Sequence, residues 1–221
     1  MELIIDNWNK MSIADYCSLQ DIASDKEMEA VDTEIAIVSL LCGVNEEEIL
    51  SLPIPEYKAL REKAQFIANF PEIKAAKAPK KIFINGKECT VATDLTKITT
   101  AQYIDFQTYF KFDDLNRYLP NILACFIIPK GCQYADGYEI SEFVEEIRNN
   151  LSIIDALQMA NFFLWAFLIS INNMLRYSEK AMRKAKKKMP KEKMEEMETA
   201  IKKMEQTRSQ LVGVGYQLLT K

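Results

Sequence analysis

The sequence predicts a mainly α fold. It reads as a helical bundle built from two related helical units, with one small β-hairpin and a C-terminal antiparallel helical hairpin. Three observations lead there. The stretch Leu151–Lys188 runs without Gly or Pro, and within it Phe162–Ile171 (FFLWAFLISI) holds nine apolar residues and one serine. A helix that is apolar all round is expected to be buried all round. Next, Lys10–Gln20 (KMSIADYCSLQ) aligns with Lys97–Gln107 (KITTAQYIDFQ) at a constant offset of 87, with Lys10/Lys97, Ala14/Ala101, Tyr16/Tyr103 and Gln20/Gln107 identical. Finally, Asn85-Gly86 sits between two β-prone runs, the strongest short-range hairpin signal. The expected organisation is a first helical unit over 1–70, a linker and hairpin over 71–96, a second unit over 97–175 packed with the first, and a helical hairpin over 176–221.

The elements follow in order. Met1–Ile5 reads as a short strand or extended arm. Ser12 is placed to cap IADYCSLQDI. A second helix is expected from Ser24 or Asp25, with Met28, Val31, Ile35, Val38 and Leu41 on one face and Gly43 just past its end. Asn45 caps EEEIL, whose glutamates suit the positive end of a helix. Pro55 stands near the first position of EYKALREKAQFIANF. Pro71–Pro79 reads as a linker, and Ile82–Ile84 with Glu88–Val91 as the strands of the hairpin. Such a hairpin is marginal alone and needs helices to cover it.

Thr99 or Thr100 caps TAQYIDFQTYF. Another helix is expected over Asp113–Cys125, with Pro120 setting a kink or a start, and Pro129-Lys130-Gly131 ends it. The loop CQYADGY reads as aromatic and either exposed or folded back. Ser141 caps EFVEEIRNN. The long apolar helix follows, with Asp155, Gln158, Asn161, Asn172 and Asn173 just outside its apolar run. That run is ten residues, well short of the roughly 20 a membrane span needs, so a buried helix in a soluble chain is expected. MELIIDNWNK has neither a basic start nor a long apolar run, so no secretory signal is expected.

Past Met189-Pro190, Met194, Met197, Ile201, Met204, Arg208 and Leu211 step as a heptad seam with one charged defect. Ile171, Leu175, Ser178, Met182, Ala185 and Met189 form the matching seam on the preceding helix. These two helices either only pack on each other or also offer a Met-rich, adaptable partner surface. The candidate partner-binding residues are therefore Met182, Met194, Met197 and Met204 on the seams, Lys184, Lys186, Lys187 and Lys188 in the basic run, and Tyr134 and Tyr138 in the aromatic loop. Trp8 and Trp165 read as core anchors.

Composition narrows the chemistry. The 221 residues contain no His, which removes His-based acid–base catalysis, Ser–His and Cys–His nucleophiles and most zinc sites. No GxGxxG, P-loop or GxSxG occurs. The sequence thus points away from an enzyme, and no cofactor, metal or catalytic residue is expected. Five Cys without a C-x-x-C pair point to reduced, mostly buried thiols. The net charge of −4 is uneven: residues 176–221 hold 13 basic and 6 acidic side chains, leaving 15 basic and 26 acidic before them. An acidic body with a basic tail suits self-complementary packing into a homo-oligomer, or an acidic partner. Nucleic acid is not expected, because Arg176–Lys193 carries one aromatic, Tyr177, and lacks the stacking platform of single-strand binders.

The first unit, WNKMSIADYCSLQD through EIAIVSLLCGVNEEEILSLPIPEYKALREKAQFI, combines several features. It has an aromatic before a Lys-hydrophobic-Ser entry, a Tyr helix, a helix ending LLCG, an NEEEI turn and an LPIPEY entry. In these it resembles the tail assembly chaperones of tailed bacteriophages, especially Bacteroides-type phages. Trp8–Phe70 carries the likeness best. KKIFINGKECTVATDLTKITTAQYIDF through FFLWAF is similar to the second half of such proteins. The resemblance implies a non-catalytic protein that binds tape-measure and tail-tube proteins during assembly, in the host cytoplasm. The basic helical hairpin departs from the compact family pattern. It leaves room for the alternative of a structural virion protein in a neck or tail ring, contacting neighbouring subunits.

Overall fold

The computed structural model describes residues 1–73, 78–109, 115–185 and 191–219. Among these the chain is mainly helical, with a small three-stranded antiparallel sheet.

The first unit begins as an extended arm: the amides of Ile4 and Ile5 both donate to the carbonyl of Leu41. Helix α1 (Ile13–Ser24) starts at Ser12, whose hydroxyl accepts from the amide of Asp15 while the Asp15 carboxylate accepts from the amide of Ser12. This reciprocal cap satisfies two otherwise orphaned donors. Helix α2 (Ala30–Cys42) starts later than the Ser24 or Asp25 expected and turns out at Gly43, with φ of 66°. Ile35, Val38 and Leu41 are buried as expected, but Val31 is 63% exposed and Met28 precedes the helix. Helix α3 (Glu46–Leu50) is capped by Asn45. Helix α4 (Ile54–Ala64) carries Pro55 in its first turn and tightens into a 3₁₀ turn over Gln65–Ala68. That tightening serves Trp8, whose indole N–H donates to the carbonyls of Phe66 and Asn69 at 3.1 and 3.0 Å. Tyr16, Phe66 and Phe70 surround its ring.

Strands β1 (Lys81–Ile84) and β2 (Lys87–Val91) form the expected hairpin. Both turn residues take positive φ, Asn85 at 49° and Gly86 at 74°, as a two-residue turn matched to strand twist requires. The sequence did not announce the third strand, β3 (Ile127–Pro129), which pairs with β2 through Cys89↔Pro129 and Val91↔Ile127. It is an edge strand, where a proline lacking an N–H is tolerated.

Helix α5 (Thr100–Tyr109) repeats the capping logic of α1: Thr99 accepts from the amide of Gln102, and the Gln102 side chain accepts from the amide of Thr99. Gln102 is buried, and its amide nitrogen also donates to the carbonyl of Cys125 at 2.7 Å. Helix α6 (Leu115–Ala124) contains Pro120 in its interior. A proline there leaves the carbonyl four residues earlier without its amide partner; that carbonyl, on Asn116, meets the thiol of Cys17 at 3.8 Å. The Asn116 side chain donates to Gln20, and Arg117 pairs with Asp21, so α1 is laid along α6 by polar contacts.

Helix α7 (Ile140–Asn150) begins at Glu139 rather than Ser141 and leads into α8 (Ile153–Ala185), the long helix expected at the centre of the core. Phe126, Phe163, Phe106 and Phe167 stack through it, with Phe126–Phe163 centroids 4.1 Å and Phe106–Phe167 centroids 4.4 Å apart. The helix is not buried all round: Trp165 is 56% and Ile169 55% exposed. Trp165 is thus no core anchor, whereas Trp8 is. By length and composition, Ile153–Arg183 could cross a membrane, and just over half of its apolar window is buried inside the protein. Helix α9 (Lys191–Leu219) returns alongside α8 to complete the C-terminal hairpin. It also touches α6, and Ile201 joins the core. The hairpin is therefore seated on the body over part of its length.

Candidate functional site

A groove of about 780 Å³ is bounded by α5, α8 and α9. Its apolar lining comes from Leu95, Ile98, Tyr103, Phe106, Phe167, Ile171 and Met174. Phe106, Phe167 and Ile171 are almost fully buried and make a fixed floor, while Tyr103 and Met174 stand partly in solvent. The polar margin includes Gln107, Ser170, Lys203, Gln206 and Thr207. The Tyr103 ring lies over Phe167, with centroids 6.3 Å apart, and its hydroxyl accepts from the Gln107 amide at 2.7 Å. The result is an apolar trough with a neutral polar rim and one ammonium group.

The structure places the sequence-predicted candidates elsewhere. Met182, Met194, Met197 and Met204 are half-buried along the seam where α8 meets α9. Met182 and Met204 pack against the core. Lys186, Lys187 and Lys188 lie outside the described residues, as does the side chain of Lys184. Tyr134 and Tyr138 are turned inward instead of forming an exposed aromatic patch. Tyr134 donates to the Asp105 carboxylate at 2.7 Å, and Tyr138 packs edge-on against Phe143. Ala135 and Gly137, both at positive φ, fold the loop back on itself.

Beneath that loop, burial pushes the Cys125 thiol up to about 12, so it stays protonated and inert. The phenol of Tyr134 is raised by burial and then by its bond to Asp105. Cys42, Cys89 and Cys125 are buried, and Cys17 and Cys132 are half-buried. At the sheet, Glu88 is held below the usual carboxylate range by Lys130 and then Lys81, and Glu146 raises Lys87. These are exposed ion pairs worth little to stability. Among the described residues no three His, Cys, Asp or Glu side chains come together as a metal site.

Sequence reasoning did not find the groove. Tyr103 and Gln107 were visible as the counterparts of Tyr16 and Gln20, but the contribution of α9 depends on where a helix one hundred residues later returns. The chain matches no family model, no curated protein and no solved structure.

Proposed function

We propose that this chain is a non-catalytic assembly factor of a phage tail, which holds a segment of the tape-measure or tail-tube protein while the virion is built in the host cytoplasm. The likeness of Trp8–Phe70 to tail assembly chaperones motivates the reading. The observation that carries it is the groove between α5, α8 and α9, with its rigid aromatic floor and polar margin. An amphipathic client segment needs such a groove for its apolar anchors, and an acidic residue beside them would meet Lys203. Co-expression with fragments spanning a tape-measure protein should return a stable complex, and Phe167→Asp or Met174→Glu should abolish it. Failure to co-purify with any fragment or with the tail-tube subunit would overturn the reading.

The charge division between an acidic body and a basic C-terminal hairpin favours a second reading, a structural virion protein of a neck or tail ring. Mass spectrometry of purified particles separates the two: a ring component is retained in stoichiometric amounts, and an assembly factor is lost.

A further inference from the structure

The face of α8 turned away from α9 is unusual in its order. Asp155, Gln158, Phe162, Trp165, Ile169, Asn173, Arg176, Lys180 and Arg183 advance in steps of three and four, so they share one side of the helix. Gln158 and Phe162 are half-buried and the other seven are exposed. One end of this line is acidic, the centre is apolar and the far end is basic. The order is complementary to its own reverse about Ile169. Laid antiparallel on itself, the line sets Asp155 against Arg183, Gln158 against Lys180, Phe162 against the stem of Arg176, Trp165 against Asn173 and Ile169 against Ile169. A parallel pairing would instead set like charges together.

We propose that this face is a homodimer interface, in which α8 packs antiparallel on α8 of a second copy with Ile169 on the two-fold axis. The interface is isologous, the commonest arrangement of soluble oligomers. Its plan is that of protein interfaces generally, an apolar aromatic centre inside a polar, charged rim. The matched span, Asp155 to Arg183, runs roughly 43 Å at 1.5 Å per residue. That length lets the charged ends supply contact area that the three apolar side chains of each copy cannot supply alone. At the acidic end, a groove of about 270 Å³ lined by Pro79, Ile82, Phe83, Asp155 and Gln158 receives the basic end of the other copy. Phe83, 69% exposed, becomes part of its wall. This interface does not depend on the phage-tail reading, because it uses the opposite side of α8 from the client groove.

Light scattering of the full chain tests it. The expected mass at low salt is twice 25.4 kDa, falling toward the monomer as salt rises, since the rim pairs are screened. Trp165→Asp should give a monomer with an unchanged circular dichroism spectrum, because Trp165 is already exposed in the single chain. Arg183→Glu should weaken dimerisation about tenfold or more at low salt. Geometry is read by cross-linking: Ile169→Cys should form a disulfide-linked dimer on mild oxidation. Tyr177→Cys should not, because the antiparallel arrangement holds the two copies of that residue roughly 24 Å apart along the helix. A monomeric wild type, a dimer that survives Trp165→Asp, or cross-linking at both positions would overturn the proposal. So would a monomer whose Trp165 emission shifts on adding anionic lipid vesicles, which would assign the face to a membrane.

Discussion

Ser12 and Ser152 face each other across a single antiparallel bridge, and each caps its own helix. The amide of Ile13 donates to the carbonyl of Leu151, and the amide of Ile153 donates to the carbonyl of Met11. Met11, Ile13 and Ile153 are completely buried around the bridge. The local sequences, Met-Ser-Ile-Ala-Asp and Leu-Ser-Ile-Ile-Asp, are nearly the same, so one pattern starts α1 and α8 and ties the starts together.

Replacing either serine by alanine should therefore cost about 1 kcal/mol, the usual value of a capping hydroxyl. Because the two caps share a bridge, the double variant should depart from additivity. Chemical denaturation of the two single variants and the double variant measures both effects. Strictly additive losses would show that the caps act alone.

Gln102 offers a sharper contrast. Its buried amide joins the start of α5 to the carbonyl of Cys125. Gln102→Leu should cost about 1–3 kcal/mol by stranding a buried carbonyl. Gln107→Leu on the same helix removes only the solvent-facing bond to Tyr103 and should stay within about 0.5 kcal/mol.

Stability should fall on the alkaline side. Burial raises Cys125 from 9.0 to about 12, and Cys42 and Cys89 move the same way. The folded state keeps these protons where the unfolded chain releases them, so stability declines as pH rises past about 9. Melting temperature measured from pH 7 to 11 should show this fall, and Cys125→Ala should make it shallower between pH 9 and 11. An unchanged slope would exclude Cys125 as a contributor.

Thiol labelling should divide the five cysteines by burial. In the native protein, Cys17 and Cys132 are half-buried and should react first with a small alkylating reagent, while Cys42, Cys89 and Cys125 should be labelled only on unfolding. Peptide mapping of briefly labelled protein reads the order. Early modification of Cys125 would contradict its place in the core.

The helix starts were legible because Ser12, Asn45, Thr99 and Pro55 act through their immediate neighbours. The hairpin was legible because Asn85-Gly86 specifies its own turn. The third strand was not. Phe126-Ile127-Ile128-Pro129 is a short apolar run, and only its pairing with Cys89–Val91 makes it a strand instead of a helix end. The exposure of Trp165 was hidden for a related reason. When nine of the ten positions of Phe162–Ile171 are apolar, periodicity cannot say which side the body leaves uncovered. The candidate methionines step as heptad seams in the sequence, but a seam that satisfies a neighbouring helix reads the same as one that awaits a partner. The groove was least legible, since it depends on α9 returning across α5 and α8.

The bridge between Ser12 and Ser152 also sets an order of events during synthesis. The two serines are 140 residues apart in the chain. At 5–20 residues per second, the second serine follows the first by roughly 7–28 s. During that interval α1 can coil and cap itself, yet Met11 and Ile13 lack the surface that will cover them. The nascent N-terminal helices thus wait with this apolar edge open until Leu151–Ile153 arrives, so the edge cannot close before α8 begins to emerge.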